Sequence, residues 1–191
     1  PRLFAQKLSE AGNPATIVVE NRAGANGVLA YDAVARAPLD GTMMLMGNHA
    51  GLAMNPHLAK SLPYDPLKSF APIILLVTVP NILVVHPSVP ANSLKELIAY
   101  AKANPGKLSY ASQGTGASGH IAAELFKLHA GIDIVHVPYR GAAPAAQDLA
   151  AGHVSMMFDV VSLALPQITA GRVRPLAVAS KERVAVLPDV P

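Results

Sequence analysis

Strand-like runs of β-branched residues alternate with alanine-rich helical patterns through most of this chain of 191 residues, and this alternation constrains its fold more than any other feature. Gly, Pro, Asn or Asp separates consecutive runs, which is typical of β-α units. Most strand candidates lack polar alternation, as expected for parallel strands covered on both faces. The sequence therefore predicts an α/β fold in which mostly parallel sheets are flanked by helices.

The predicted strands are residues 16–21, 42–46, 71–79, 82–86, 107–112, 132–138, 154–158 and 173–179. The predicted helices are residues 1–12, 27–37, 93–104, 119–130, 143–151 and 163–170. Ser93 and Glu96 have the spacing of a capping box. Gly131, Gly152 and Gly171 are expected to end helices, because glycine readily adopts the left-handed conformation found there.

Two strand candidates follow each other directly, residues 71–79 and 82–86, and only Pro80 and Asn81 separate them. We interpret residues 71–86 as one extended segment that crosses between two sheets. It predicts two lobes, 1–80 and 81–180, with the tail 181–191 returning to the first. Hinges are expected at the two crossovers, 79–81 and 179–180. A ligand would bind at the carboxyl ends of the strands, in the cleft between the lobes.

Composition and charge exclude several classes of function. Fifteen basic and twelve acidic residues give a net charge of +3, and the basic residues are scattered, so nucleic acid is not an expected partner. No apolar run reaches the about 18 to 20 residues that a spanning helix needs, so we expect no direct membrane insertion. The chain lacks cysteine, and its seven histidines show no H-x-x-x-H or H-E-x-x-H pair. We therefore expect no metal and no cofactor.

The glycine loop, residues 114–119 (GTGASG), lies between a predicted strand and an amphipathic helix. The first-turn N–H groups of a helix lack internal partners, and with the helix dipole they attract anions. A second such junction, residues 139–144, follows the next predicted strand. Because two helix ends can share one ligand, the sequence predicts a site for a small carboxylate.

The same loop also matches G-x-G-x-x-G through Gly114, Gly116 and Gly119, so a nucleotide-binding α/β oxidoreductase is the alternative. A dinucleotide site also needs an acidic residue at the end of the next strand, where this chain has Tyr139 and Arg140. The P-loop pattern and the nucleophile elbow G-x-S-x-G are absent from the sequence. No base, nucleophile or metal site is placed in mutual reach, so the pattern predicts no enzyme and no catalytic residue.

Several single residues are candidates for the site. Asp159 and Asn48 each follow or end a predicted strand, one in each predicted lobe, and each is either a turn or cap residue or a ligand contact. Ser118 is predicted to cap its helix, to donate a hydrogen bond from its hydroxyl to the bound carboxylate, or to do both. His120 is predicted to face either the cleft or the surface. The predicted ligand-binding residues are Asn48, Thr115, Ser118, Gly119, His120, Arg140, Gly141, Ala142 and Asp159.

Seven segments carry a resemblance to a known family. They are 18–27 (VVENRAGANG), 38–42 (PLDGT), 62–66 (LPYDP), 70–72 (FAP), 104–111 (NPGKLSYA), 135–141 (VHVPYRG) and 187–191 (LPDVP). Together they resemble the Bug-type periplasmic substrate-binding proteins of tripartite tricarboxylate transporters, over nearly the whole chain.

This resemblance implies a type II periplasmic binding fold, with two α/β lobes that close on a small organic acid. The ligand would be a dicarboxylate, a tricarboxylate, an aromatic acid or an amino acid, held largely by backbone amides and ordered waters. The resemblance implies delivery to membrane transporter subunits without catalysis, and a periplasmic location. Because members begin with a signal peptide and a further strand, the chain is expected to be a fragment whose first lobe lacks a central strand and part of the carboxylate cradle.

Overall fold

The structure is a computed structural model that describes residues 1–12, 14–22, 24 and 27–191. Contacts divide the chain into two units, Pro1–Ile73 and Ile74–Pro191. Within the family-like segment 18–27, Ala23, Ala25 and Asn26 lie outside the described residues. None of the described helices combines the length and the apolar character that crossing a membrane would require.

The first unit consists of short helices joined by irregular segments. They are α1 (Arg2–Glu10), α2 (Val28–Ala35), a π-helical turn (Ala50–Met54) and α3 (Asn55–Leu58). Its buried centre is an aromatic cluster, in which the rings of Tyr31 and Tyr64 stack with their centroids 5.2 Å apart. Phe70 packs edge-on against both rings, with centroid distances of 5.8 and 5.6 Å.

Three segments that the sequence predicts as strands, 16–21, 42–46 and 71–79, are neither strand nor helix in the structure. A strand satisfies its backbone N–H and C=O groups only through a neighbouring strand. No described residue of the first unit belongs to a strand that could pair with 16–21 or 42–46, and the run 71–79, which continues into the second unit, is not among the strands of that unit's sheet. Their apolar side chains stay in solvent, with Val18 84% exposed and Ile74 72% exposed.

The second unit is built on a five-stranded sheet of order β3-β2-β4-β1-β5. Its strands are β1 (Asn81–Val85), β2 (Ser109–Ser112), β3 (Val135–Pro138), β4 (Met156–Val160) and β5 (Arg174–Val178). Its helices are α4 (Leu94–Ala103), α5 (Ser118–Ala130), α6 (Ala142–Ala150) and α7 (Val161–Thr169). The predicted α/β class is confirmed, as are the strands and helices predicted beyond residue 80.

The sheet is mixed, because β1 runs against its neighbours. β2 pairs in parallel with β3 and β4, whereas β1 pairs antiparallel with β4 and β5. The carboxyl ends of β2, β3 and β4 therefore meet at one edge of the sheet. The chain leaves that edge to enter α5, α6 and α7, so three helix starts lie along it.

The core has two layers, one on each face of the sheet. Successive residues of a strand point to opposite faces. Leu83 and Val85 of β1 accordingly join the layer that contains Leu97 of α4 and Ala123 of α5, and Ile82 joins the other. The predicted cap at α4 is confirmed for Ser93, whose Oγ accepts a 3.2 Å hydrogen bond from the amide of Glu96, whereas the Glu96 side chain accepts from the amide of Asn92.

The tail, residues 181–191, belongs to the second unit by its contacts, and its return to the first lobe stays a prediction. β5 is an edge strand with unpaired backbone groups, and the amide of Val178 donates to the carbonyl of Pro191 at 2.6 Å. Val190 is 8% exposed and covers one core layer. The assignment of 1–80 and 81–180 to two lobes stays a prediction.

Candidate ligand-binding site

The glycine loop joins β2 to α5 in a tight turn. Gly114 and Gly116 have φ values of 139° and 82°, a region that L side chains rarely adopt. The amide of Ala117 donates to the carbonyl of Gly114 at 3.1 Å, which closes the turn. The first α-helical bond of α5 runs from the amide of Ile121 to the carbonyl of Ala117. The amides of residues 118–120 precede that bond, and no acceptor for them is found in the described part of the chain.

A second helix start, that of α6, touches the glycine loop. The amide of Gly141 donates to the carbonyl of Gln113 at 3.1 Å, and that of Tyr139 donates to the carbonyl of Ser112 at 3.0 Å. Gly141 therefore shapes the junction, and its own N–H is used within the protein. Ala142 and Ala143 are the next residues, and their first-turn amides complete a cluster of donors at this edge of the sheet.

Gly119 allows α5 to begin against the end of β4. A Cβ atom at this position would lie 2.3 Å from the carbonyl oxygen of Phe158 and 2.6 Å from Gln113 Oε1. The carbonyl oxygen of Phe158 belongs to the backbone, so it cannot move aside by a side-chain rotation. The close approach of helix and strand therefore requires glycine at position 119.

Asp159 lies in β4 at the same edge and is only 2% exposed. Its Oδ1 accepts hydrogen bonds from the amide of Val160 at 2.8 Å and from Gln113 Nε2 at 3.2 Å. Burial raises the pKa of this carboxyl, although these two hydrogen bonds act in the opposite direction. No lysine, arginine or histidine among the described residues forms an ion pair with it.

Ser118 is the first residue of α5 and not its cap, contrary to the prediction. The N-cap is Ala117, which offers no side-chain hydrogen bond. Ser118 Oγ instead donates to Asn81 Oδ1 at 3.3 Å, which ties the helix start to the beginning of β1. Asp159 likewise precedes the N-cap of α7, Val160, and bonds to its amide.

His120 faces the interior of the loop. Its Nδ1 accepts a hydrogen bond from the amide of Gly116 at 3.1 Å. Its ring stacks on His136 of β3, with the centroids 4.3 Å apart, and His136 stacks on Tyr110 of β2 at 4.7 Å. Burial, followed by the charge of His120, lowers the pKa of His136. These contacts place a pair of titratable rings directly under the glycine loop.

Two other predicted residues, Thr115 and Arg140, are exposed at this edge. No ion pair of Arg140 is found in the described residues, so its guanidinium is available to a ligand. Arg140 directly precedes the Gly141 junction to α6.

Asn48 belongs to the first unit and has a structural role there. Tyr31 Oη accepts from the amide of Asn48 at 2.6 Å and donates to its carbonyl at 2.9 Å. Asn48 Oδ1 accepts from the amide of Gly51 at 3.2 Å, so the side-chain oxygen serves the turn. A ligand contact through its Nδ2 stays a prediction.

A family profile described as "Tripartite tricarboxylate transporter family receptor" matches residues 2–191. The chain belongs to this receptor family. Among its curated relatives, a UPF0065 protein from the tcbD-tcbE intergenic region of Pseudomonas sp. (strain P51) is 42% identical over 190 residues, which cover 100% of this chain and 56% of the relative. Protein BugT of Bordetella pertussis is 38% identical over 192 residues, which cover 100% and 58%. The chain thus spans somewhat more than half the length of these relatives.

Solved structures of the receptor family share the fold. The structure named "R. palustris Rpa4515 with adipate" has a TM-score of 0.92 and 38% identity, covering 100% of this chain and 63% of that one. MatC (Rpa3494) from Rhodopseudomonas palustris with bound malate has a TM-score of 0.84 and 33% identity, covering 100% and 64%. These proteins bind solutes, and none of the comparisons supports the alternative of a nucleotide-binding oxidoreductase.

Sequence reasoning missed two polar residues of this receptor's candidate site, Gln113 and Asn81. Gln113 directly follows β2, so the rule that singled out Asp159, a polar residue at the carboxyl end of a strand, could have found it. Its Oε1 is buried, and no hydrogen-bond donor for it is present among the described residues. Asn81 was interpreted only as part of a hinge. In the described chain, no group of three or more residues is arranged to hold a metal ion.

Proposed function

We propose that this chain is the ligand-binding part of an extracytoplasmic receptor, which captures a small organic acid at the carboxyl edge of the sheet in the second unit. The receptor family and the adipate and malate complexes of its structural neighbours support this proposal. The chain would deliver its ligand to membrane transporter subunits and would not change it chemically.

The observation that carries the proposal is the cluster of unpaired amides at two touching helix starts. Amides of residues 118–120 in α5 and of residues 142–143 in α6 lie at junctions joined by the 3.1 Å bond from Gly141 to Gln113. A buried carboxylate needs several donors to replace its lost hydration. Oriented backbone amides at helix starts supply such donors without adding a flexible charge.

Calorimetric titration of the full-length protein would test the proposal. The panel would contain adipate, malate, citrate, benzoate, aspartate and NAD. We expect at least one carboxylate to bind and NAD not to bind. Binding of NAD alone would overturn the proposal in favour of the nucleotide site.

One substitution removes a single proposed donor. Ala142→Pro deletes the first amide of α6 at a position where proline suits a helix. A hydrogen bond to a charged group is worth about 1.5–3 kcal/mol, so affinity should fall on the order of tenfold to a hundredfold. Ala142→Ser keeps the amide and is the matched control. Equal loss in both variants would show that the side chain, and not the amide, matters.

Asp159 is proposed to influence which ligand is chosen. Its Oδ2 accepts no hydrogen bond from the described residues, so it can accept one from a hydroxyl or ammonium group of a ligand. As a carboxylate it would repel a further negative charge. The position of Asp159 beside the helix starts, through Gln113, supports this role.

The comparison of malate with succinate isolates that effect, because the two acids differ by one hydroxyl. Wild type should prefer malate, and Asp159→Asn should narrow the difference between the two affinities. An unchanged ratio in the variant would leave Asp159 with a structural role only. Recovery of unaltered malate after long incubation, followed by NMR, checks the proposed absence of turnover.

A further inference from the structure

The two glycines with positive φ in the glycine loop are each tied to one histidine of a stacked pair. Gly116 donates its amide to His120 Nδ1 at 3.1 Å. Gly114 donates its amide to Ser112 Oγ at 3.3 Å, and that hydroxyl lies 2.7 Å from His136 Nε2. One end of the turn is therefore held by His120 directly, and the other is held by Ser112, whose hydroxyl contacts His136.

The stacked rings continue into the core. His136 lies opposite Tyr110 in the parallel register of β2 and β3. Their ring centroids are 4.7 Å apart, and the ring planes differ by 14°. Tyr110 Oη donates to Glu124 Oε1, and Lys127 pairs with the same carboxylate at 3.2 Å. The charged or titratable groups around His120 are thus Tyr110 from β2, His136 from β3, and Glu124 and Lys127 from its own helix.

From this geometry we infer that His120 is a positioning residue, which holds the glycine loop in its anion-binding shape only while its imidazole is neutral. The inference rests on the proposed function. A neutral imidazole that accepts a hydrogen bond at Nδ1 carries its proton on Nε2. Protonation places a second proton on Nδ1, directly against the Gly116 N–H. The two donors then face each other, and the hydrogen bond from Gly116 to His120 is lost.

Protonation of His120 has two opposed effects on a bound carboxylate. The new positive charge attracts it, but water screens this charge because the ring is only half-buried. Loss of the Gly116 bond releases the turn that aims the amides of residues 118–120. Several oriented donors outweigh one screened charge, so binding weakens once His120 is protonated.

NMR of the ligand-free, full-length protein tests the loop directly. Between pH 8 and 5.5, the Gly116 amide shift should follow the titration of the His120 ring, whose Nδ1 should be unprotonated at pH 8. In His120→Asn, Oδ1 can replace Nδ1 as the acceptor but cannot titrate, so the Gly116 shift should stay constant. A Gly116 amide that ignores His120 in wild type, or a proton on Nδ1 at pH 8, would overturn the inference.

Affinity for adipate supplies the second readout. From pH 8 to 5.5, wild type should lose at least fivefold more affinity than His120→Asn, a comparison that cancels the ionisation of adipate itself. His120→Phe keeps the ring without the acceptor and should bind weakly at every pH. His129→Asn, an exposed residue of the same helix, should behave as wild type.

An identical pH profile in wild type and His120→Asn would contradict the positioning role. Failure of the proposed function has a different signature. In that case no carboxylate binds at any pH, and the NMR titration of Gly116 alone decides the role of His120.

Discussion

The two units of this receptor chain use similar sequence patterns with different results. In the second unit, β-branched runs form a five-stranded sheet with a core layer on each face. In the first, the runs at 16–21 and 42–46 form no strand, and three aromatic rings make up the buried centre. A strand-like sequence therefore does not suffice to form a strand, because a β-sheet also needs a neighbouring strand that pairs in register.

The largest effect is expected in the sheet of the second unit. Leu83 of β1 is fully buried, so Leu83→Ala should lower the free energy of unfolding by about 2–5 kcal/mol through lost burial and the cavity left behind. Urea unfolding measured by circular dichroism checks this value. Leu39→Ala in the first unit is the control, because that side chain is 100% exposed and its loss should change stability by less than about 0.5 kcal/mol.

The aromatic cluster of the first unit should be broken by Gly51→Ala. The new Cβ would lie 2.0 Å from the ring of Tyr31, which is 3% exposed and held by Asn48. Such overpacking costs about 1–3 kcal/mol. Hydrogen exchange should show lost protection in residues 47–58 and unchanged protection in the sheet. Loss of protection in both units alike would mean that they unfold together, and the contrast between them would not hold.

A smaller effect is expected at a helix cap. Ser93→Ala removes the acceptor of the Glu96 amide and should destabilise the second unit by about 1 kcal/mol. Ser93→Asp keeps an acceptor and should retain most of the stability. In the first unit, α1 has no side-chain cap and no buried residue, so exchange of its amides should already be fast in wild type. Slow exchange in α1 would contradict this view of the first unit.

The smallest effect concerns pH. Because the pKa of His136 is lowered in the folded state, the unfolded chain binds this proton more readily. Stability of the second unit should therefore fall as the pH drops below about 6.5, the ordinary pKa of histidine. His136→Gln can keep a hydrogen bond to Ser112 and should flatten this dependence. The change in the urea midpoint between pH 7.5 and 5.5 measures this dependence. An equal change in wild type and His136→Gln would refute the assignment to His136.

Much of the second unit could be predicted because its signals are local. The capping pattern at Ser93 and the glycine loop at 114–119 each lie within a few residues of the element they define. The π-helical turn Ala50–Met54 was not predicted, since nothing local distinguishes its apolar residues from an ordinary helix. The contact of the tail 181–191 with the edge of β5 was not predicted either, because it depends on three-dimensional packing.

The candidate site divides in the same way. The helix start at Gly119 and the buried Asp159 follow from polar or small residues at strand ends. The stacking of His120 on His136 arises only because the register of β2 and β3 sets His136 beside Tyr110. Register is a long-range property, so no local motif could have indicated the pair.

The chain enters and leaves the sheet at neighbouring positions. Asn81 begins β1, and the amide of Ala179, just after β5, donates to its carbonyl at 2.8 Å. Because β1 and β5 are antiparallel, a tensile force applied at these two points pulls their ladder apart from one end. Its hydrogen bonds then break one after another rather than together in shear. Under tension the sheet would therefore open one hydrogen bond at a time, beginning at the end where Ala179 bonds to Asn81.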